Sequence, residues 1–461
     1  MQGIRGIGPQ ILQNRTDSMQ PKNQTTGVFE LFQAHFRQIL DPRHALVQLA
    51  DKIDWPRFDA AFADSYSPDL GAPGLAIRLM VGLQYLKYAF NESDESLVER
   101  WIENPYWQYF CGFTHMQHEV PLDPSSLSRW RKRVGAERLE QLLKETLDLA
   151  VRERQLPPRD LAQVTVDTTV QEKNITYPTD AKLLHTAIRK LVRAAGERGL
   201  TLRQSYLRVS KRAALMTGRY AHAKQFRRMR RELRRLRTWV GRLVRDIARK
   251  AGTPDAPLAR ILDRAERIRR QQPQDSHKLY SWHEPDVQCI SKGKARQRYE
   301  FGQKVALATT NRSNWIVAAR LLPGNPYDGH TLATTLAATE SITGTPITDA
   351  YVDKGYRGHG CRGATRVHVA GAGSKSVPRS ERRRRRRRSA IEPKIGHLKS
   401  DHRVRRCFLT GLPGDAINIV LAAAGANLRK LLRRFCFALL EWLGWHCNSR
   451  RITQSILPAY A

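Results

Sequence analysis

The chain has 461 residues, of which 41% are hydrophobic, enough for a sizeable core spread over two or three domains and too many for wholesale disorder. Lys and Arg number 79 against 43 Asp and Glu, a net charge of +36, which points to a polyanionic partner: nucleic acid first, an anionic membrane surface second. The longest apolar stretch, Phe435 to Trp445, is broken by Glu441 and covers about half of the roughly 20 residues a membrane span needs. The first residues lack the apolar core of a secretion signal, and the six cysteines form no C-x-x-C pair, which excludes a zinc ribbon and a disulfide scaffold. A soluble, cytoplasmic protein that faces nucleic acid and does not span a membrane is the reading that fits.

Residues 1–27 carry no periodicity and read as a loose tail. Residues 28–153 read as a helical domain. Leu75, Leu79, Leu83 and Leu86 recur at helical spacing, and Asp123-Pro124 opens a helix with the proline just inside an Asp cap. That helix carries Ser125, Ser126, Ser128, Arg129, Arg131, Lys132 and Arg133 beside an apolar side of Leu127, Trp130 and Val134. Short hydroxyls and arginines there suit a helix lying on DNA, with Arg129 and Arg131 as phosphate contacts; an ordinary amphipathic surface helix has the same look.

Prolines 157 and 158 mark a boundary, and the β-branched run Gln163–Val170 is a strand with Asp167 inside it. An acid in a strand interior breaks a local rule, as functional positions do. From Lys182 to Arg270 the chain holds 27 basic and 6 acidic residues. This insertion, about 181–274, is mostly helical. Met229, Leu233, Leu236, Val240, Leu243 and Ile247 form the seam of a helix–helix pairing, and Arg231 and Arg235 lie among the arginines crowding its other faces. Strand character returns at 287–290, 303–309 and 315–321, then a helix from His330, a strand at 347–352 ending in Asp353, a short strand at 367–369, seven arginines from Arg382 to Arg388, a helix from Ser389 and a last helix from Asp415. Residues 154–428 thus form a mixed α/β domain interrupted by a basic helical insertion, with 429–461 as C-terminal helix and tail.

Glu392 has two readings. Ser389-Ala390-Ile391-Glu392 fits a capping box, in which the glutamate bonds back to the Ser389 backbone. Alternatively, Glu392 and Lys399 line one helix face as a metal-holding carboxylate and a phosphate-gripping cation. Three carboxylates on separate elements of a strongly basic α/β protein suggest a two-metal site, since Mg²⁺ takes hard oxygen ligands and needs no acid–base histidine. His330 and His397 are candidates for phosphate contact, and equally ordinary surface histidines.

Five motifs occur in one order: Val164-Thr-Val-Asp167-Thr-Thr-Val170, Phe301-Gly-Gln-Lys-Val305, Gly324-Asn-Pro-Tyr-Asp-Gly-His-Thr-Leu332, Val352-Asp-Lys-Gly-Tyr-Arg-Gly358 and Ile391-Glu-Pro-Lys-Ile-Gly-His-Leu-Lys399. Together they resemble the DDE transposases of the IS5 family of bacterial insertion sequences, over roughly residues 28–430. The resemblance implies an RNase H-like α/β catalytic domain preceded by an all-α domain, with Asp167, Asp353 and Glu392 as catalytic and metal-binding triad for two Mg²⁺ ions, Mn²⁺ being an alternative. In the related Y-(2)-R-(3)-E-(6)-K pattern Arg388 is the R, Lys399 the K, and Arg385 stands where the tyrosine belongs. Lys354, Arg357 and His397 join these as DNA contacts. Double-stranded DNA, as transposon ends and target, and a homodimeric synaptic complex complete the implied picture. The alternative is a non-catalytic DNA binder derived from a transposase.

Overall fold

The computed structural model describes residues 34–66, 74–291, 298–361, 363–371 and 378–442, with side chains to Phe435. The proposed loose tail at 1–27 and the last 19 residues lie outside them. The chain forms two compact units, one of residues 1–171, 304–409 and 413–461, the other of 172–303 and 410–412. Among the described residues no helix is long and apolar enough to cross a membrane.

The first unit joins helices to the larger part of a mixed sheet. The strands are β1 (Gln163–Glu172), β2 (Gln288–Ser291), β3 (Tyr299–Thr310), β4 (Ile316–Leu322), β5 (Asp349–Val352) and β6 (Arg366–Val369), of which β2 and the start of β3 fall in the second unit. Along the sheet β4 pairs with β3, β3 neighbours β1, β1 neighbours β5, and β5 neighbours β6. β3 and β4 are antiparallel, with Ala306 opposite Arg320; β5 runs parallel to β1, with Thr165 opposite Tyr351, and β6 parallel to β5. β1 is buried at Val164, Val166 and Val170, as its β-branched composition requires.

The expected boundary near residue 153 does not separate two cores. Leu79, Leu83 and Leu86 belong to the same buried cluster as Val164, Val166, Val305 and Ile316. The Ile77–Phe90 helix is buried nearly all round, the mark of a central rather than a surface helix. It lies so close to the Gly411–Trp442 helix that a Cβ on Gly425 would come within 2.5 Å of Tyr88 Cβ. His402, 4% exposed, donates from Nδ1 to the Tyr88 carbonyl oxygen at 2.7 Å. Burial lowers its pKa to about 4. The neutral ring is therefore the folded form, and the unfolded chain takes up the proton first as pH falls. Stability should drop by roughly 3 kcal/mol between about pH 6.5 and pH 4 from this group. Urea unfolding of the wild type and of His402→Gln across that range checks it: the variant should lack this share of the acid loss.

The helix opened by Asp123 forms as expected, Asp123 Oδ1 accepting from Ser125 N at 2.8 Å with Pro124 at the first position. Arg131 is a correction. It is 1% exposed, and its guanidinium makes paired bonds of 2.9 and 2.6 Å to Asp94, which also receives Lys87 at 2.7 Å. A buried guanidinium locked on a carboxylate cannot reach a phosphate, so Arg131 is a core residue and not a DNA contact.

In the second unit the basic insertion is four helices: Asp180–Gly196, Leu207–His222, Phe226–Ala251 and Ala256–Arg270. The seam of the third is buried at Leu236, Val240, Leu243 and Ile247, in one cluster with Leu184, Ile188 and Leu191 of the first and Leu258, Ala265 and Ile268 of the fourth. Its partners are thus several short neighbours rather than one long helix. β2 pairs antiparallel with the start of β3, Ile290 opposite Glu300.

Candidate active site

β1 and β5 pair in parallel up to Thr165 and Tyr351, and continuing that register by two places would set Asp167 opposite Asp353, just past the end of β5. Asp167 is partly buried, and its Oδ1 accepts from the following backbone N–H, Thr168, at 2.7 Å. Asp353 caps the short turn Lys354–Tyr356, accepting from Gly355 N at 2.9 Å. This fixes the carboxylate at the point where β5 ends, the usual place for a site in a sheet with parallel strands.

A third aspartate stands with them. Asp328 opens the Asp328–Thr343 helix, where the positive end of the helix dipole favours an acid. Its Oδ1 accepts from Thr168 Oγ1 and from Lys304 Nζ, each at 3.0 Å. Lys304 is 9% exposed and also donates to the Pro326 carbonyl at 2.7 Å, tying the turn before Asp328 to β3. A Cβ built on Gly355 would lie 3.1 Å from Asp353 Oδ1 and 3.4 Å from Asp328 Oδ2, so both carboxylates converge on that glycine. Tyr356 is fully buried beneath, its hydroxyl without a hydrogen-bond partner. Burial raises its pKa strongly, and Asp167, Asp328 and Asp353 push it further the same way.

Glu392 sits elsewhere on its helix than the capping box requires. Ser389 lies inside the turn Arg388–Ala390 and donates to the Arg386 carbonyl at 3.0 Å, and the Ile391–Asp401 helix has no side-chain cap. The capping reading is therefore replaced: Glu392 Oε1 accepts from Arg388 Nη2 at 3.0 Å, and its side chain is 59% exposed. Among the described residues no three His, Cys, Asp or Glu side chains stand close enough to hold a metal ion. The donor set is nonetheless the one a hard divalent cation takes: carboxylate oxygens only, next to an orphaned buried hydroxyl.

The candidate DNA contacts fall into groups. Lys354 and Arg357 are exposed on the turn after Asp353, Lys354 lying against Gly371. Of the arginine run, for which the sequence suggested no element, Arg382–Arg387 lie in the Arg379–Arg387 helix and Arg388 opens the turn after it. Glu381 in its first turn gathers Arg385 at 3.1 Å, His368 at 3.2 Å and the Tyr351 hydroxyl at 3.2 Å, offsetting some of the repulsion between like charges one turn apart. His397 pairs with Asp401 at 3.2 Å, and Lys399 is half-buried on the same helix. Arg129 is exposed, donating to Ser126 Oγ at 3.1 Å. In the second unit Arg231 and Arg235 are exposed, Arg235 paired with Glu232 at 3.1 Å. His330 is exposed, edge-on to the Tyr327 ring.

Asp328, Thr168, Lys304 and Tyr356 had no role assigned from the sequence, although all four stand in the ordered motifs: beside Asp167, inside Phe301–Val305, before Gly329 and after Asp353. The available signal was a lysine inside a strand, Lys304, breaking the same local rule as Asp167.

Two stretches match known protein families: residues 34–133 a transposase domain (DUF772), and residues 266–428 a transposase DDE domain. The chain thus carries the domains of a DDE transposase. It is also 51% identical over 208 residues to the uncharacterized protein ORF8 in the nfe locus of Rhizobium meliloti, covering 45% of this chain and all of that relative. The chain belongs to the same family as that protein. No solved structure matches.

Proposed function

We propose that the protein is an IS5-like transposase that cuts the ends of its own insertion sequence and joins them to target DNA. The observation that carries this reading is the parallel pairing of β1 with β5, whose register carried on by two places would set Asp167 opposite Asp353, inside a chain with a DDE domain. The strand order β4-β3-β1-β5-β6, with β3 and β4 antiparallel and β5 and β6 parallel to β1, supports an RNase H-like fold for the catalytic part.

Asp167, Asp353 and Glu392 would hold two Mg²⁺ ions, or Mn²⁺, and such ions activate an attacking oxygen and stabilise the leaving one in an in-line displacement. The chain's own groups do the rest. Asp353 is held by Gly355 N and Asp328 by Lys304, so the carboxylates are set before DNA arrives. Lys354 and Arg357, exposed on the neighbouring turn, Arg385, His397 and Lys399 on the two helices that follow, and Arg388 on the turn between those helices would grip the strand through its phosphates. The reaction hydrolyses the phosphodiester at a transposon end and then turns the freed 3′-hydroxyl on a target phosphodiester. A homodimer would bring two ends together in the cytoplasm.

The basic insertion would add phosphate contacts. Arg227, Arg230, Arg231 and Arg234 are exposed on the Phe226–Ala251 helix. Replacing these four by alanine keeps helix propensity. It should flatten the plot of log affinity against log salt for duplex DNA by about 0.9 per lost phosphate contact, measured by fluorescence anisotropy.

The activity itself is tested with supercoiled plasmid carrying the element's ends. Nicking with Mg²⁺ and none with Ca²⁺, followed by joining of a pre-cleaved end to a plasmid, supports the proposal. No nicking with either ion leaves a DNA binder, and nicking without joining leaves a nuclease.

A further inference from the structure

Asp328 lies outside the DDE triad, yet its two oxygens have separate tasks. Oδ1 is taken by Thr168 Oγ1 and Lys304 Nζ, both at 3.0 Å. Oδ2 is turned to the other side, toward Gly355, where Asp353 also converges. A carboxylate anchored through one oxygen and presenting the other beside a second carboxylate is arranged to share something with it. Two acids directed at one point repel unless a cation or a proton lies between them.

Tyr356 points to what they share. Its ring is completely buried, and its hydroxyl has no partner although Asp167, Asp328 and Asp353 all act on it. Leaving a buried hydroxyl unpaired costs about 1–3 kcal/mol, so such groups in folded proteins usually face a water or an ion that satisfies them. Here the hydroxyl feels the charge of three carboxylates, and a water or cation among them would supply its missing partner.

We propose that Asp328 is a further cation-holding carboxylate of this site: its Oδ2, set by Lys304 and Thr168, serves the same divalent ion as Asp353, and the Tyr356 hydroxyl bonds to a water carried by that ion. Lys304 is then a positioning residue that keeps Asp328 oriented while the ion is absent. The inference rests on the divalent-cation reading above and adds a ligand to it.

Mn²⁺ titration of the full-length protein, with free Mn²⁺ read by electron paramagnetic resonance, needs no DNA and no turnover. Asp328→Asn keeps an oxygen for Thr168 and Lys304, and should weaken Mn²⁺ binding at least about tenfold, in the range that loss of a metal's supporting groups produces. Tyr356→Phe removes a hydroxyl that has no partner in the free protein, so it should melt at or above the wild-type temperature while the rise in melting temperature on adding Mn²⁺ shrinks. Asp353→Asn is the control. Wild-type Mn²⁺ affinity in Asp328→Asn, or an undiminished Mn²⁺ shift in Tyr356→Phe, with binding lost in Asp353→Asn, overturns the role of Asp328 and Tyr356 and leaves the transposase reading standing. Wild-type affinity in Asp353→Asn as well removes the cation site itself.

Discussion

Arg131→Ala should cost about 3–5 kcal/mol of folding stability, the penalty for removing one partner of a buried ion pair, while a surface arginine on the same helix such as Arg129 should cost less than about 0.5 kcal/mol. Arg131 reaches Asp94 through both terminal nitrogens, and Gln84 lies at 3.3 Å from one of them. Without it, Asp94 keeps only Lys87, whose pKa burial lowers to about 8. Burial alone would raise the Asp94 pKa, but the Arg131 hydrogen bonds and the Lys87 charge outweigh it and hold the carboxyl below its usual range. The folded pKa being depressed, this contribution is present above the unfolded value near pH 4 and lost as the pH falls through the folded one. Urea denaturation of both variants at pH 7 and pH 3 reads all of this: the deficit of Arg131→Ala should shrink in acid.

Glu392→Gln should lower Mg²⁺-dependent cleavage by about 1000-fold or more, since losing several kcal/mol of transition-state stabilisation multiplies the barrier's effect tenfold per 1.4 kcal/mol. Its stability should hardly change, because the side chain is 59% exposed and its partner Arg388 is a single neighbour one helical turn away. Rate and stability therefore separate at Glu392 and move in opposite proportion at Arg131. Arg388→Ala should leave folding intact as well and weaken strand positioning, seen as a higher DNA concentration needed for half-maximal nicking. A Glu392→Gln variant that nicks plasmid at the wild-type rate would take the glutamate out of the site.

The acid inside a β-branched strand was legible because the local rule it breaks concerns one residue and its immediate neighbours. The order of strands and helices after Gln274 was legible for the same reason, each being bounded by turn residues such as Pro323-Gly324-Asn325 and Gly344. What a pattern of spacing conceals is which cation enters a core. Leu127, Arg131 and Val134 fall at i, i+4 and i+7, so the arginine lies on the buried stripe, but only the distant Asp94 shows that its charge is matched there. The seam from Met229 to Ile247 has coiled-coil spacing, yet its partners are three shorter helices whose approach depends on contacts remote in sequence. The arginine run illustrates the reverse. Repulsion disfavours a helix of seven arginines, and Glu381 bonded to His368, Tyr351 and Arg385 anchors it from another element. Asp328 stands in plain view within Tyr327-Asp328-Gly329, but nothing local to it marks a site. Its role depends on Lys304 and Thr168, 24 and 160 residues away.

Duplex binding and phosphodiester cleavage, measured in the same samples of wild type and Asp167→Asn with Mg²⁺ present, test the central assignment most directly. The variant should bind end-bearing duplex within about twofold of wild type, the phosphate contacts being made by arginines and lysines elsewhere. Its cleavage should fall below detection. Cleavage by Asp167→Asn at the wild-type rate would contradict that assignment.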